Sequence, residues 1–511
     1  MGQYSTTVHS ISQRITGKKG LWDFFSIGLI LITISLIVIR RDNFPIFVDI
    51  YYHLSITEMF DQAGGVVIHD FLQYAPIGRS HLYPPFLHIL MLGAYKMGLS
   101  MDALGRLVSA VMFPLTMVSC WLLVRRAFGS AEAFVSLVLL LCSWQFFYTT
   151  AVVSASALAT VLALLTYYLI LTGRDRAAIV TMAFCLYSHM SYPHLVSLSL
   201  IIWALMEPAR RRSVSKVLVF SYLLFSPWLI NVMMNIGSVA DTSALGGGVN
   251  FSLVLVASAL AGAVLCLRNL RRGERGYALP LAMMMSMVPV FFFYRSRFFV
   301  HSSVPLAILG AIGLVFAARY LASRMGRHGG MAGTVFLVAI SFMVLTWGVT
   351  YSSGVGGQDD HAGPGHGSGD VGLDMTTLVA LADGDALPTP SYETPASESL
   401  LEDIESNTDQ DDIIVLNRGI NGCMITAYTG RATTSGMFHE VSTDDQRALR
   451  NIILSSGGQF HEGLEYSTVD GDLIDMPTAF PSMLAFALVG AGIFAIMYDV
   501  KCNKEEKREY K

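Results

Sequence analysis

The sequence has little charge for its length. Only 14% of its 511 residues are Asp, Glu, Lys or Arg, while 53% are hydrophobic; soluble domains carry about 25% charged residues. Cysteine is also rare, with six residues in the chain. The charge deficit excludes a soluble globular protein. The composition therefore predicts an α-helical polytopic membrane protein, and nothing in it indicates a nucleic-acid partner.

Apolar runs close to the ~20 residues that cross the hydrocarbon layer recur along the chain. They predict about 12 transmembrane helices, near residues 22–39, 103–124, 131–149, 152–172, 177–190, 193–207, 214–236, 250–267, 277–294, 300–318, 331–350 and 480–498. The first run is long and is followed by Arg40 and Arg41 rather than by small residues. We therefore expect it to remain as a span and not to be cleaved as a leader.

Lys and Arg are concentrated on one side of the predicted spans. With the amino terminus placed in the cytoplasm, 23 of the 34 Lys and Arg residues fall in cytoplasmic segments, as the positive-inside rule requires. If the apolar stretch 84–98 crossed the bilayer, every later loop would lie on the opposite side of the membrane, and the basic loops would face outward. The stretch is therefore predicted to lie on the outer surface. Both termini are expected in the cytoplasm of a multi-pass protein of the cell membrane.

This orientation divides the chain into three parts. Residues 1–350 form a transmembrane domain, which includes a long outer loop at 40–102. Residues 351–479 form an extracytoplasmic soluble domain, in which the Gly-rich stretch 353–372 is typical of a flexible linker. Residues 480–511 form a last span and a basic cytoplasmic tail.

The soluble part is predicted to be a small α/β domain. Asp411–Asn417 has the pattern of a buried strand that ends in a turn, and Asp444–Leu454 has helical spacing. Cys423 is the only cysteine in an outer segment. No disulfide can form within the outer segments, so this domain depends on packing.

The first outer loop carries the most informative charge. Asp49 follows the first span closely, and His53 lies four residues later, on the same face of a helix. Such a pair can bind a divalent ion or take a proton from a hydroxyl group. A carboxylate at the bilayer edge is costly unless it is used. The alternative is that Asp49 only begins or caps a surface helix. Asp70, in the same loop, is predicted to be a solvated charge.

Two further segments are candidates for substrate binding. His81 and Tyr83 precede a Pro-Pro pair, and they either line a substrate site or form a structural corner. Arg295 and Arg297 lie on the outer side, against the general trend of charge. Arginine pairs well with phosphate, so one of the two is a candidate for a lipid-carrier phosphate. The alternative is snorkelling to lipid headgroups.

Two motifs carry a family resemblance. They read Asp49-Ile50-Tyr51-Tyr52-His53-Leu54 and His81-Leu82-Tyr83-Pro84-Pro85. Together they resemble the first outer loop of GT-C superfamily glycosyltransferases, above all archaeal relatives of the oligosaccharyltransferase catalytic subunit. The likeness covers the first third of the chain by motif and the rest by architecture alone.

The resemblance implies transfer of a sugar from a polyprenyl-phosphate carrier such as dolichol phosphate. The acceptor would be a glycan, lipid or protein on the outer face. Asp49 would activate the acceptor, directly or through a divalent ion (Mg or Mn) shared with His53, and Arg295 or Arg297 would hold the carrier phosphate. The Trp-Trp-Asp-x-Gly motif and a second acidic motif are absent. This departure favours a single-sugar transferase and puts the metal in doubt.

Two other classes of protein stay open. A flippase for lipid-linked glycans would show charges inside its spans and inverted repeats, and neither is plain in the sequence. A non-catalytic glycolipid-binding relative would explain the missing acidic motif.

Overall fold

The computed structural model describes most of the transmembrane part and portions of the soluble part. The described residues are 19–45, 49–152, 154–238, 249–293, 295–325, 328–353, 370–374, 376–383, 395–416, 422–437, 459–460, 466–469 and 477–509. The helix predicted at Asp444–Leu454 lies outside these ranges, as does most of the predicted linker.

Helices make up most of the described chain. Those up to the tenth are α1 (Lys19–Ile39), α2 (Asp49–Gln62), α3 (Phe86–Lys96), α4 (Met101–Ala127), α5 (Ser130–Leu141), α6 (Trp144–Val152), α7 (Ser154–Leu171), α8 (Asp175–Leu186), α9 (Tyr192–Met206) and α10 (Arg211–Asn235). The others are α11 (Leu253–Arg271), α12 (Ala278–Phe293), α13 (Arg295–Arg324), α14 (Gly329–Thr346), α15 (Thr377–Asp383), α16 (Pro395–Asn407), α17 (Gly422–Thr429) and α18 (Ser482–Glu509).

The strands are short. They are β1 (Gly65–Val66), β2 (His69–Asp70), β3 (Arg79–Ser80), β4 (Val249–Ser252), β5 (Gly348–Ser353), β6 (Asp370–Asp374), β7 (Ile413–Leu416), β8 (Ala432–Thr433), β9 (Gln459–Phe460), β10 (Tyr466–Val469) and β11 (Phe480–Pro481). They form four small sheets, in the orders β1-β11, β2-β3, β4-β5-β6 and β8-β7-β10-β9.

The chain is a multi-pass membrane protein. Among the described residues, nine helices are long and apolar enough to cross a membrane, or ten if α5 and α6 count as one span. Three predicted spans look different in the structure. The span at 131–149 is broken into α5 and α6, which bend by 77°. The spans at 177–190 and 193–207 are α8 and α9, whose 12 and 15 residues give lengths of only about 18 and 22 Å.

We distinguish two faces of the bundle by the helices and domains that lie on them. The basic face holds the start of α1 and the end of α4, which Arg125 and Asp23 join by an ion pair of 2.7 Å. The domain face holds α2, α3 and the soluble domain. At the centre of the bundle, every residue of α5 is buried, as expected for a helix that is surrounded by other helices. The helix α3 has 11 residues, which is too short for a span and agrees with a surface position.

The soluble domain combines strands and helices as predicted. The buried strand expected at Asp411–Asn417 is β7, whose first three residues are buried. It pairs antiparallel with β10 and parallel with β8. The last span is also tied to the first loop, because β11 pairs with β1 just before α18 begins. The ends of the predicted linker are not free, since β5 and β6 pair with each other.

A buried arginine joins the first loop to the soluble domain. Arg79 forms an ion pair of 3.3 Å with Asp70, and both side chains are almost completely buried. Arg79 also donates hydrogen bonds to the Gln73 side chain and to the backbone oxygen of Met437. Gln73 accepts a further hydrogen bond from the thiol of Cys423 in α17. We call these five residues the Arg79 network.

The Arg79 network corrects one prediction. Asp70 is not a solvated loop charge, because it is fully buried and also accepts hydrogen bonds from the backbone of Leu72 and Gln73. A buried carboxylate needs such partners to offset the loss of water. The network therefore fixes the loop that contains His81 and Tyr83 against the soluble domain.

Candidate active site on the domain face

Asp49 is the first residue of α2 and lies partly exposed at the edge of the bundle. The next residues, Ile50, Tyr51 and Tyr52, are each at most 1% exposed, so the helix is anchored by the rest of its first turn. A negative charge is favoured at a helix N-terminus by the peptide dipoles. Tyr148 of α6 lies within electrostatic reach of Asp49. The carboxylate predicted from the sequence is therefore held at the surface beside a second helix.

A small cavity lies at the part of α6 that follows Tyr148. It is lined by Thr149, Thr150, Ser156, Thr160 and His301, and also by the apolar residues Phe146, Ala157 and Val304. Its water-accessible volume is about 10 Å³, which is room for one water molecule. Hydroxyl groups and an imidazole give this cavity both hydrogen-bond donors and acceptors.

His301 connects the cavity to the first outer loop through a series of ring contacts. Its ring lies 4.8 Å from that of Tyr192 and 6.5 Å from that of His189, measured between centroids. His189 in turn packs edge to face against Tyr83 at 5.9 Å. Tyr83 packs against His53 at 5.5 Å. These rings form a continuous path from α2 to α13, and we call it the ring path.

Behind Tyr83 lies a cluster of three buried histidines, His53, His81 and His88. The Nδ1 atom of His53 and the Nε2 atom of His88 are 2.9 Å apart and share a hydrogen bond. The His81 ring packs against His88 at 5.7 Å and against Trp228 at the same distance. Burial lowers the pKa of His53 and of His81 to about 3, and that of His88 also lies well below its usual value. All three rings are therefore neutral at pH 7.

The structure places both predicted histidines inside the protein. His53 is 2% exposed and His81 is fully buried, so neither lines open space in this structure. The backbone of His81 is held at both ends, because its N–H donates to Ile68 and its carbonyl oxygen accepts from Asn231. The ring of His53 packs against Tyr83. A contact of either histidine with substrate stays a prediction.

The predicted arginines begin a helix that reaches the site. Arg295 is the first residue of α13, and its side chain and that of Arg297 lie outside the part of the chain that the structure describes. Arg297 is four residues before His301, and residues at this spacing share one face of a helix. Of the two candidates, Arg297 is therefore the one that shares a face with a residue of the cavity.

The described residues do not fit a divalent ion at Asp49 and His53. Nδ1 of His53 is engaged by His88, and the ring is buried behind Tyr83. In the described part of the chain, no three His, Cys, Asp or Glu side chains are arranged to hold a metal ion. Mg and Mn prefer several oxygen ligands, and here Asp49 is the one carboxylate of the site.

Known proteins resemble this chain in structure and not in sequence. Neither protein-family models nor the sequences of curated proteins match the chain. Solved structures do match. The archaeal oligosaccharyltransferase AglB from Archaeoglobus fulgidus, in complex with an inhibitory peptide and a dolichol-phosphate, has a TM-score of 0.58 at 12% identity, over 84% of this chain and 68% of AglB. This chain has the GT-C fold.

Two other GT-C structures agree. ArnT from Cupriavidus metallidurans in the apo state has a TM-score of 0.51 at 12% identity, over 88% of this chain and 99% of ArnT. The Archaeoglobus fulgidus oligosaccharyltransferase in complex with Zn and sulfate has a TM-score of 0.58 at 14% identity, over 81% of this chain and 62% of that enzyme. The fold-level resemblance predicted from the first-loop motifs is confirmed.

Sequence reasoning missed three residues of the site. His301 was overlooked beside the more conspicuous arginines, although its spacing from Arg297 placed it on the same helix face. His88 lies within an apolar run. In the sequence, only its distance along the chain from His53 could have indicated it. The Nδ1 atom of His189 accepts hydrogen bonds from the backbone N–H groups of Ser191 and Tyr192. Its position in the ring path was not foreseen.

Proposed function

We propose that the protein is a GT-C glycosyltransferase that moves one sugar from a polyprenyl-phosphate carrier to an acceptor on the outer face of an archaeal or bacterial cytoplasmic membrane. The observation that supports this most directly is a partly exposed carboxylate, Asp49, at the start of α2 and within electrostatic reach of Tyr148 on α6, in a GT-C fold. The dolichol-phosphate in the AglB complex supports a carrier of this chemical class. The acceptor is a glycan, a lipid or a protein.

Asp49 is the proposed general base. It takes the proton of an acceptor hydroxyl as the oxygen attacks the anomeric carbon of the sugar. The bond between that carbon and the phosphate oxygen breaks, and the phosphate leaves with the electron pair. General-base catalysis of this kind contributes roughly 10²–10⁴-fold in rate. The partial exposure of Asp49 suits this role because an acceptor can approach it from the surface.

Arg297 and His301 are the proposed partners of the leaving phosphate. A guanidinium binds phosphate oxygens bidentately, and an imidazole N–H can donate to the same group. Donors that are already in place when charge develops stabilise the transition state strongly. The ring path supports this proposal because Tyr192 and His189 hold His301 from two sides.

The flippase alternative receives less support from the structure. Among the described residues, an ion pair of 2.7 Å does occur within the spans, between the buried Glu132 and the partly exposed Arg319. Glu132 lies in the first turn of α5, and Arg319 lies near the end of α13, so this pair is at the basic face. Transporter sites lie near the middle of the bilayer instead. Within the described residues the pair is therefore better explained as a link between two helix ends.

The test uses the full chain reconstituted in proteoliposomes. Donors are a radiolabelled polyprenyl-phosphate monosaccharide and the matching pyrophosphate, offered with lipid, glycan and peptide acceptors. The proposed function expects label on an acceptor and free polyprenyl phosphate as the second product. Movement of intact donor across the bilayer without new product would support the flippase. Donor binding with neither outcome would support a non-catalytic relative.

A further inference from the structure

An apolar groove runs along the outside of the bundle, far from the candidate active site. It lies between α8 and α10, has a volume of about 350 Å³, and is lined by Ile179, Phe220, Leu223 and Leu224, with Arg176 at one end. The three residues of α10 are between 51% and 60% exposed. These side chains lie within a helix that is long and apolar enough to cross the bilayer. The groove therefore opens towards lipid.

The groove is short. Its lining runs from Arg176 to Ile179 on α8 and from Phe220 to Leu224 on α10, which are rises of about 4.5 and 6 Å. Ser221 donates a hydrogen bond to the backbone oxygen of Ile179, so the two helices are joined beside the groove. The hydrocarbon core is about 30 Å thick, so the groove holds part of one acyl chain of a single leaflet.

The charged end of the groove lies at the basic face. Arg176 is exposed at the start of α8, and none of the ion pairs among the described side chains uses it. The neighbouring Asp175 is engaged by Ser213 and by Lys216. Arg211 and Arg212 begin α10 beside these residues and are also exposed. Positive charge therefore surrounds the mouth of the groove.

We propose that this groove is a binding site for an anionic phospholipid of the leaflet at the basic face. The acyl chain lies against Phe220, Leu223 and Leu224, and the phosphate is held by Arg176. Basic pockets between transmembrane helices bind anionic headgroups in this way. The site differs from the proposed sugar-donor site, because Asp49 lies on the domain face at the other side of the bundle.

The proposal is tested by native mass spectrometry of the purified full chain. Equal amounts of phosphatidylglycerol and phosphatidylcholine with identical acyl chains are added, and retained lipid is counted. We expect one phosphatidylglycerol to be retained, with a preference of about five-fold over phosphatidylcholine, as a single basic contact near the surface supplies. Equal retention of both lipids would overturn the proposal.

Three variants distinguish the groove from general attraction to a basic face. Arg176→Gln should abolish the preference for phosphatidylglycerol, and Leu223→Trp should remove the retained lipid by filling the groove. Arg126→Gln, which removes an exposed charge at the end of α4 away from the groove, should change nothing. The proposal fails if Arg126→Gln acts as strongly as Arg176→Gln, if Leu223→Trp retains lipid as the parent does, or if inorganic phosphate displaces the lipid.

Discussion

The ring of Tyr83 packs edge to face against the ring of His189, with centroids 5.9 Å apart. Tyr83 belongs to the first loop on the domain face, whereas His189 lies between α8 and α9. The contact therefore fastens a loop that precedes α3 to the turn between α8 and α9. It also places Tyr83 one ring away from His301, which lines the small cavity at α6. The loop and the cavity depend on each other through these two side chains.

The first prediction concerns the ring of Tyr83. Tyr83→Leu removes the contact with His189 and should lower kcat about ten-fold or more, because small displacements of catalytic groups are costly. Tyr83→Phe keeps the ring and should retain most of the activity. Steady-state kinetics of both variants in the transfer assay provide the measurement. Equal losses in the two variants would show that the hydroxyl of Tyr83, and not its ring, is what activity requires.

The second prediction concerns His301. His301→Ala should lower the rate of transfer by about 100-fold, since it removes a donor aimed at developing charge. His301→Gln keeps an N–H donor and should lie between Ala and the parent. The matched control is His328→Gln at the basic face, where His328 is exposed before α14. A normal rate for His301→Ala would remove this residue from the proposed mechanism.

The third prediction is a loss of stability in acid. Burial holds the pKa of His53 and His81 near 3 in the folded protein, and that of an unfolded histidine is about 6.5. Below pH 6.5 the unfolded state binds protons that the folded state excludes. The stabilisation is therefore complete above pH 6.5 and declines as the pH falls from 6.5 towards 3. At pH 5 the loss is about 2 kcal/mol for each of these histidines.

The variant His81→Phe tests this origin, because it keeps a buried ring that cannot be protonated. The decrease in Tm between pH 7.5 and pH 5.0, measured in detergent, should be smaller than in the parent. His328→Gln should leave the decrease unchanged. An identical decrease in the parent and in His81→Phe would exclude this histidine as a source of acid sensitivity.

The fourth prediction uses Cys423 to report on the Arg79 network. Its thiol is buried and hydrogen-bonded to Gln73, and burial raises its pKa to about 12. Thiolate is the reactive form, so a membrane-impermeant maleimide should label it slowly. Arg79→Met leaves Asp70 buried without its ion-pair partner, which costs about 3–5 kcal/mol, and it removes a bond to Met437.

We therefore expect labelling of Cys423 to accelerate at least about ten-fold in Arg79→Met, as the contact between loop and soluble domain opens. The background for this measurement is Cys502→Ser. Arg106→Met is the matched control, because Arg106 bonds to Asp102 and to the backbone of Phe44. Unchanged labelling in Arg79→Met would mean that other contacts hold the two parts together.

Local patterns in the sequence predict the membrane architecture well. Apolar runs mark the spans because each span crosses the hydrocarbon layer, and the buried strand β7 has a similar run of apolar residues. The break between α5 and α6 is different. Residues 130–152 carry a single charged residue, Glu132. Their bend depends on packing against α4, α7 and α13, which no local pattern records.

The candidate site is only partly visible in the sequence for the same reason. Asp49 stands out because a charge beside a span is costly, and His53 stands out by its spacing. The pairing of His53 with His88 joins residues 35 positions apart. The contact between His189 and His301 spans more than a hundred residues. Asp70 was mistaken for a solvated charge because its partner Arg79 becomes adjacent only when β2 pairs with β3.

The role of Asp49 is tested most directly by comparing Asp49→Asn with Asp42→Asn in proteoliposomes supplied with labelled polyprenyl-phosphate sugar. Asp42 is an exposed carboxylate in the turn after α1. Asp42→Asn therefore removes the same negative charge near the same edge of the membrane as Asp49→Asn. We predict that Asp49→Asn transfers sugar at least about 100-fold more slowly, with unchanged Tm, and that Asp42→Asn is normal. A folded Asp49→Asn protein that transfers sugar at the parent rate would contradict the proposed mechanism.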